Sequence, residues 1–363
     1  MISIQRGHVA IYRQYDVADA IDLEAAAQTV QRGETRRLAL RRLPKAQLQI
    51  LAPPLSFELG QQRVTIDHRE FAIDGSARVY DFGTISVVLR VLIPVGTSLE
   101  ALAQQNTLFN EHPALDSLAK ELLLRVFDEL KPAMKGAHLS GFSEDYTITC
   151  VQQFDTAIDV AQLAREPWLA RLLLAEVSNR AISTDAIDDA MSVSFSYYAD
   201  ELAVIDWNSA FVFDPTGDND IPDLIEFASA QLLELRYYDD VLDRELSRMY
   251  AEIGRVRGFF KKQKYQTLSR HLMQLVLDVT EVTEKIDNSL KWVGDIYLAR
   301  CYQGAAKQFA LSRWQAQVER KLSLAARATE LVTNQITTDR TLLLETSVVL
   351  LIVFEVLLAL WRH

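Results

Sequence analysis

Residues 341–363 read TLLLETSVVLLIVFEVLLALWRH, and the reading of this stretch decides the fold expected of the whole chain. Residues 342–361 are almost all apolar, and as a helix rising about 1.5 Å per residue they would span roughly 30 Å, the thickness of a hydrocarbon core. Arg340 on one side and Trp361, Arg362 and His363 on the other read as interfacial flanks. The stretch is therefore expected to be a single C-terminal transmembrane helix, a tail anchor. Two carboxylates interrupt it. Glu345 lies one turn inside and can snorkel, whereas Glu355 sits past the middle, where a charge costs on the order of 2–3 kcal/mol or more. Both are candidates for transmembrane packing against a second copy of the chain; the competing reading is tolerance within a strongly apolar helix.

Upstream, residues 221–340 carry helical stripes. Ala228, Leu232, Leu235, Tyr238, Leu242, Leu246, Met249, Ile253 and Val256 recur at spacings of three or four, as one face of a helix requires. A second stripe runs from Leu268 to Val293 and a third from Leu311 to Ile336, so three long helices are expected to pack as antiparallel coils. Asp220, Pro222 and Asp223 read as a cap, GRVRGFFKKQKY as the first interruption and CYQGAA as the second. Helices one and three would run the same way, each on the order of 50 Å long. The loop closing helix one then falls near the bilayer. Its residues Arg255, Arg257, Phe259, Phe260, Lys261, Lys262 and Lys264 are candidates for contact with anionic headgroups; a nucleic-acid patch and a solvated turn are the alternatives.

The remainder, residues 1–215, reads as mixed α and β. Strand signals occur at HVAIYRQY, ARVYDFGTISVVLRVLIP and DYTITCVQQF, and MSVSFSYYADELAVIDWNSAFVF alternates like a meander. Helical periodicity in SLEALAQQ, ALDSLAKELLLRVFDEL and WLARLLLAEV falls between them, which predicts an α+β domain with helices on one sheet face. The expected organisation is thus an α+β domain over 1–215, a three-helix coiled-coil-like stalk over 216–340 and the anchor over 341–363.

Composition sets limits on function. A net charge of −11 over 363 residues disfavours nucleic acid as a general partner. Cys150 and Cys301, far apart in a long chain, point to a reducing compartment and to burial as small hydrophobes. The N-terminal residues lack the apolar core of a secretory signal and do not resemble a transit peptide.

Chemical motifs are sparse. DDVLD places Asp239 and Asp243 on one helix face, as in magnesium-diphosphate sites, but a second cluster is missing and Arg236 and Arg244 are at ion-pair spacing. DPTGDNDIPD has its glycine misplaced for a calcium loop, and a capped turn fits better. Six histidines are scattered without a partner at ligand spacing, and no nucleophile elbow or phosphate-binding glycine loop is present. YDFGTI, at Tyr80 to Ile85, lacks the other kinase elements and reads as a strand with a bulge glycine. No catalytic, metal-binding or cofactor-binding residue is expected.

Several segments together resemble one family. VADAIDLEAA, VYDFGTISVV, DLIEFASAQLLELRYYD, GDIYLARCY and LLLETSVVLLIVFEVLL, in this order, are similar to the "required for meiotic nuclear division" family. That resemblance implies an α+β domain joined to coiled helices and one C-terminal membrane helix, with the glutamate of FEVLL as a family feature. It also implies oligomers, a role supporting translation in mitochondrial members, and no known catalytic residues. Without a presequence the chain looks bacterial, placing the anchor in the inner membrane and the domain in the cytoplasm. The expected function is a non-enzymatic, homo-oligomeric, tail-anchored scaffold or tether that touches membrane lipid and presents its α+β domain to an unidentified protein. The alternative is an enzyme with its site in that domain, marked by a polar cleft of convergent ionisable groups.

Overall fold

A computed structural model of the chain describes residues 2–30, 36–37, 47–50, 52–110, 112–178, 180–255, 261–288, 290–293 and 296–361. It divides into two compact units, Met1–Tyr237 with Val282–Trp314, and Tyr238–Glu281 with Gln315–His363.

The first unit is built on a ten-stranded sheet. Its principal strands are β1 (Ser3–Asp16), β2 (Leu55–Ile66), β3 (Arg69–Val79), β4 (Thr84–Leu92), β5 (Ser143–Phe154), β6 (Ser194–Phe195), β7 (Leu202–Ile205) and β8 (Ser209–Phe213). In space they run β6-β7-β8-β5-β1-β4-β3-β2, with residues 36–37 beyond β2 and 97–98 beside the start of β1. These pairings are antiparallel except β5 with β8, which is parallel.

The side-chain period of two gives the sheet unlike faces. Val9, Ile11 and Tyr15 of β1, Ile73 and Val79 of β3, and Ile85, Val87 and Leu89 of β4 form one apolar face. The helices α1 (Leu99–Asn110), α2 (Pro113–Leu130) and α3 (Pro167–Leu173) cover it. The alternate positions, Tyr12, Gln14 and Asp16 with Ser76, Arg78, Thr84 and Ser86, are polar yet buried. That second face lies under the first turns of α4 (Asp220–Arg255) and under α6 (Ile296–Gln308), which follows α5 (Lys261–Asn288). Helices thus pack on both sheet faces, where the sequence suggests only one. Residues 220–231 are buried at every position, so α4 begins as an all-round core helix rather than a striped one.

In the second unit, Leu246 and Met249 of α4, Leu272 of α5, and Ala325 and Ala328 of α7 (Leu311–Trp361) form an apolar cluster with Val276 against it, and Leu242, Val279 and Val318 are buried as well. These are positions of the three sequence stripes or their immediate helical neighbours.

Three expectations need correction. CYQGAA is not a break: it lies inside α6, where Gly304 gives Phe195 and Val193 room to pack, and the chain turns at Ala310 with φ +52°. YDFGTI is the turn joining β3 to β4, not one bulged strand, because Gly83 takes φ +110° and its N–H bonds the carbonyl of Tyr80. Finally, among the described residues no helix is long and apolar enough to cross a membrane. The tail belongs to one continuous helix, α7, and Glu345 and Glu355 leave nine residues as its longest uncharged run. Nine residues cover about 14 Å, half of a hydrocarbon core. The C-terminal transmembrane helix, the tail anchor and the inner-membrane location are therefore not supported.

Candidate functional site

The ionisable groups of the first unit converge between the polar sheet face and α4. Arg78 projects from β3 and is 6% exposed. Its Nη2 lies 2.5 Å from Asp223 Oδ1, and its Nη1 donates to Glu226 Oε2. Asp223 and Glu226 are three residues apart and so share a helix face toward the sheet. Gln14 Nε2 donates to the main-chain carbonyl of Glu226 at 2.8 Å, which ties β1 to the same turn. Tyr80, Phe82 and Phe227 close over the cluster as an aromatic group with centroids 5.2–6.2 Å apart.

Burial governs the protonation of this group. Asp223 and Glu226 are both pushed up from the usual carboxylate range by loss of solvent, an effect that the neighbouring Arg78 opposes. Tyr12 and Tyr80 are pushed well above the usual phenol range by burial and then by the charge of Glu226. Each stays a neutral phenol.

Two turns further along α4, Thr84 Oγ1 donates to Glu234 Oε1 at 2.6 Å. Asp16 is the cross-strand partner of Thr84, and its Oδ2 lies 2.9 Å from His138 Nε2. His138 Nδ1 lies 2.7 Å from the carbonyl of Gly136, and the ring of Tyr237 stacks on the imidazole at 5.7 Å. The hydrogen bond to Asp16 holds His138 up to about 9 against the effect of burial. Glu144 of β5 takes Arg236 of α4, yet burial still raises its carboxyl to about 7.

Each of these groups has at least one partner within the protein. Arg78, Asp223, Glu226, Glu234 and Asp16 are all 8% exposed or less, so the convergence is sealed under a helix and not displayed in a cleft. Its chemical capacity is to fix α4 to the sheet by charge pairing and shared protons. From the sequence Asp223 reads as part of a helix cap, and Arg78, Glu226, Glu234, Asp16 and His138 carry no motif that would assign them a role. A signal existed: polar residues at even positions of β1 and two acids three apart in an otherwise apolar helix start.

The residues singled out from the sequence lie elsewhere. Asp239 and Asp243 of DDVLD both hold Lys321 Nζ, at 2.7 and 2.5 Å, while Asp240 takes Arg244 at 2.8 Å. The carboxylates are thus already engaged by protein cations, and magnesium chloride is expected to leave the thermal unfolding midpoint unchanged beyond its ionic-strength effect, as a melt with matched sodium chloride would show. Among the described residues no group of three or more acids, histidines or cysteines could hold a metal ion. Glu355 is exposed on α7, and the side chain of Glu345 lies outside the described residues. Arg257, Phe259 and Phe260 also lie outside them, as do the side chains of Arg255, Lys261, Lys262 and Lys264. Cys150 and Cys301 are buried and unbridged, and burial pushes the Cys150 thiol up to about 12.

Residues 6–219 match the family described as "Uncharacterized protein MJ0711, N-terminal domain". The chain is also similar to "Uncharacterized protein MJ0711" of Methanocaldococcus jannaschii, with 27% identity over 241 residues, 66% of this chain and 73% of that protein. These matches overturn the resemblance to the "required for meiotic nuclear division" family. The segments that carried it have local causes: VYDFGTISVV is shaped by a tight turn at Gly83, and DLIEFASAQ by burial on all sides.

Proposed function

The chain belongs to the family of the MJ0711 N-terminal domain, and from that premise we propose that it is a non-enzymatic, self-associating scaffold. In this reading the helices of the second unit join copies of the chain and the sheet unit is the domain presented to a protein partner. The observation that carries it is the run Val348–Phe354 of α7, in which seven successive apolar residues are 49–64% exposed. Seven successive positions encircle a helix. With Leu357 at 60% they leave on the order of 800 Å² uncovered, the area that each partner of a standard interface buries. Apolar patches of that size mark association surfaces. The exposed Tyr250, Met273 and Leu277 on the other helices of the second unit point the same way, since apolar side chains left in water gain by sharing surface with a second copy. The enzyme alternative has less support, because the ionisable groups with shifted pKa values are sealed beneath α4.

The test is light scattering of the full chain beside Leu350→Glu/Ile352→Glu. These positions face opposite sides of α7, and circular dichroism would verify its helicity. The expected result is a defined multimer for the native chain and a monomer for the variant. A monomeric native chain, or a variant that keeps the native mass, overturns the reading.

A further inference from the structure

The ionic layer is balanced at one end and not at the other. Where α4 begins, Asp223 and Glu226 face Arg78, with Arg90 adding a second positive charge to their surroundings. Around Glu234 the sheet offers acid to acid. Asp16, on the strand position opposite Thr84, faces the same side as the hydroxyl that Glu234 accepts from, and Asp19 adds its charge from the segment after β1. Directly opposed residues stand about 5 Å apart at Cβ, so Asp16 lies beside the Thr84 from whose hydroxyl Glu234 accepts, and the Asp16 charge acts on the Glu234 carboxyl. Each keeps one buried oxygen without a hydrogen-bond partner, Oδ1 of Asp16 and Oε2 of Glu234, both on residues no more than 1% exposed. A pair of orphaned acceptors is costly, and one proton would satisfy both, with Glu234 donating to Asp16. The other Asp16 oxygen is held by His138, whose two ring nitrogens both face acceptors, Asp16 and the Gly136 carbonyl. That arrangement is complete only for the doubly protonated, charged imidazole.

We propose that Glu234, Asp16 and His138 form a proton-operated latch that fastens the first half of α4 to the sheet: closed with Glu234 neutral and His138 charged, released when both protons leave. Among the described residues, other charged groups on the elements packed here are the Asp81 carboxyl of the β3–β4 turn with Lys285 near it, Glu144 with Arg236 and Asp145, and Lys135 beside Asp19. Burial raises Asp81 and Glu144 alike. The sign follows from linkage. A folded-state pKa above the unfolded one means that the folded state holds the extra proton, so stability falls as pH rises between the two values. For His138 this window runs from about 6.5 to about 9; for Glu234 it begins near the ordinary carboxylate value and extends well above it.

Hydrogen exchange on the full chain at pH 6 and pH 9 tests the latch, read as protection factors corrected for intrinsic rate over residues 224–237. The native chain should lose at least tenfold protection between the two pH values. Glu234→Gln, whose amide donates to Asp16 at any pH, should lose less than half as much on a logarithmic scale. A His138 ring that titrates near 9 by NMR of the unmodified chain is the companion result, independent of any variant. Equal losses in native chain and Glu234→Gln, a His138 pKa near 6.5, or protection restored at pH 9 by potassium or magnesium would each overturn the proposal; the last would make the pair a cation site.

Discussion

Replacing Arg78 with methionine is expected to destabilise the sheet unit by about 3–5 kcal/mol, the cost of breaking a buried charge pair from one side. Methionine preserves the bulk of the arginine stem, so the loss isolates the charge. Asp223 and Glu226, 8% and 0% exposed, would lose the guanidinium that pairs with both, with the charge of Arg90 still acting on them. Both would then take up protons, and the variant should regain stability as pH falls from 7 toward 5, since protonated acids no longer oppose burial. Adding Asp223→Asn and Glu226→Gln to Arg78→Met should recover more than half of the loss at pH 7. Urea midpoints for the three proteins at both pH values provide the measurement. A loss below about 1 kcal/mol for the single variant would mean that water reaches the two carboxylates and that the pairing contributes little.

Gly83→Ala is expected to cost about 3 kcal/mol or more, and a second glycine shows why. At Gly83 the backbone has φ +110°, which an L-residue adopts only with strain, and an added Cβ would stand 1.9 Å from the carbonyl oxygen of Ala18. That contact is main chain to main chain, and Val17 N–H already donates to Gly83 O at 3.1 Å, so neither strand end can withdraw. Gly96 also has positive φ, +85°, but nothing lies within 4 Å of its Cβ position. Gly96→Ala should therefore cost only the conformational strain, about 1 kcal/mol. Comparing the two melts separates strain from collision. Equal losses would show that the close approach to Ala18 relaxes freely.

Much of the architecture was legible wherever periodicity and burial coincide. HVAIYRQY and DYTITCVQQF are adjacent strands, ALDSLAKELLLRVFDEL is a helix over its full length, and the alternating segment near residue 200 is a run of paired strands. Strand β2 escaped because LSFELGQQRVTI is largely solvated along its length and mixes signals for turn and strand. The tail misled because composition over twenty residues outweighs two acids in an average, whereas a bilayer meets each charge singly. The ionic layer escaped for a deeper reason. Arg78 is 145 residues from Asp223, and Asp16 is 218 from Glu234, so neither partner makes sense beside its own neighbours. A lone arginine in a strand reads as a surface residue until a helix encoded far downstream settles over it.

The central place of β1 has a further consequence, for the time course of synthesis. Its flanking strands are β4 and β5, and the pairing of Ile4 with Phe154 joins residues 150 positions apart. At 5–20 residues per second, roughly 10–30 s separate the emergence of the first strand from that of its second neighbour. Through that interval a nascent chain carries an unpaired 14-residue segment that ends in eight positions destined for the interior. A ribosome making this protein therefore exposes, before its partners emerge, a segment able to pair with the same segment on a neighbouring nascent chain, and shielding of residues 9–16 by a holding chaperone should govern the yield of folded protein.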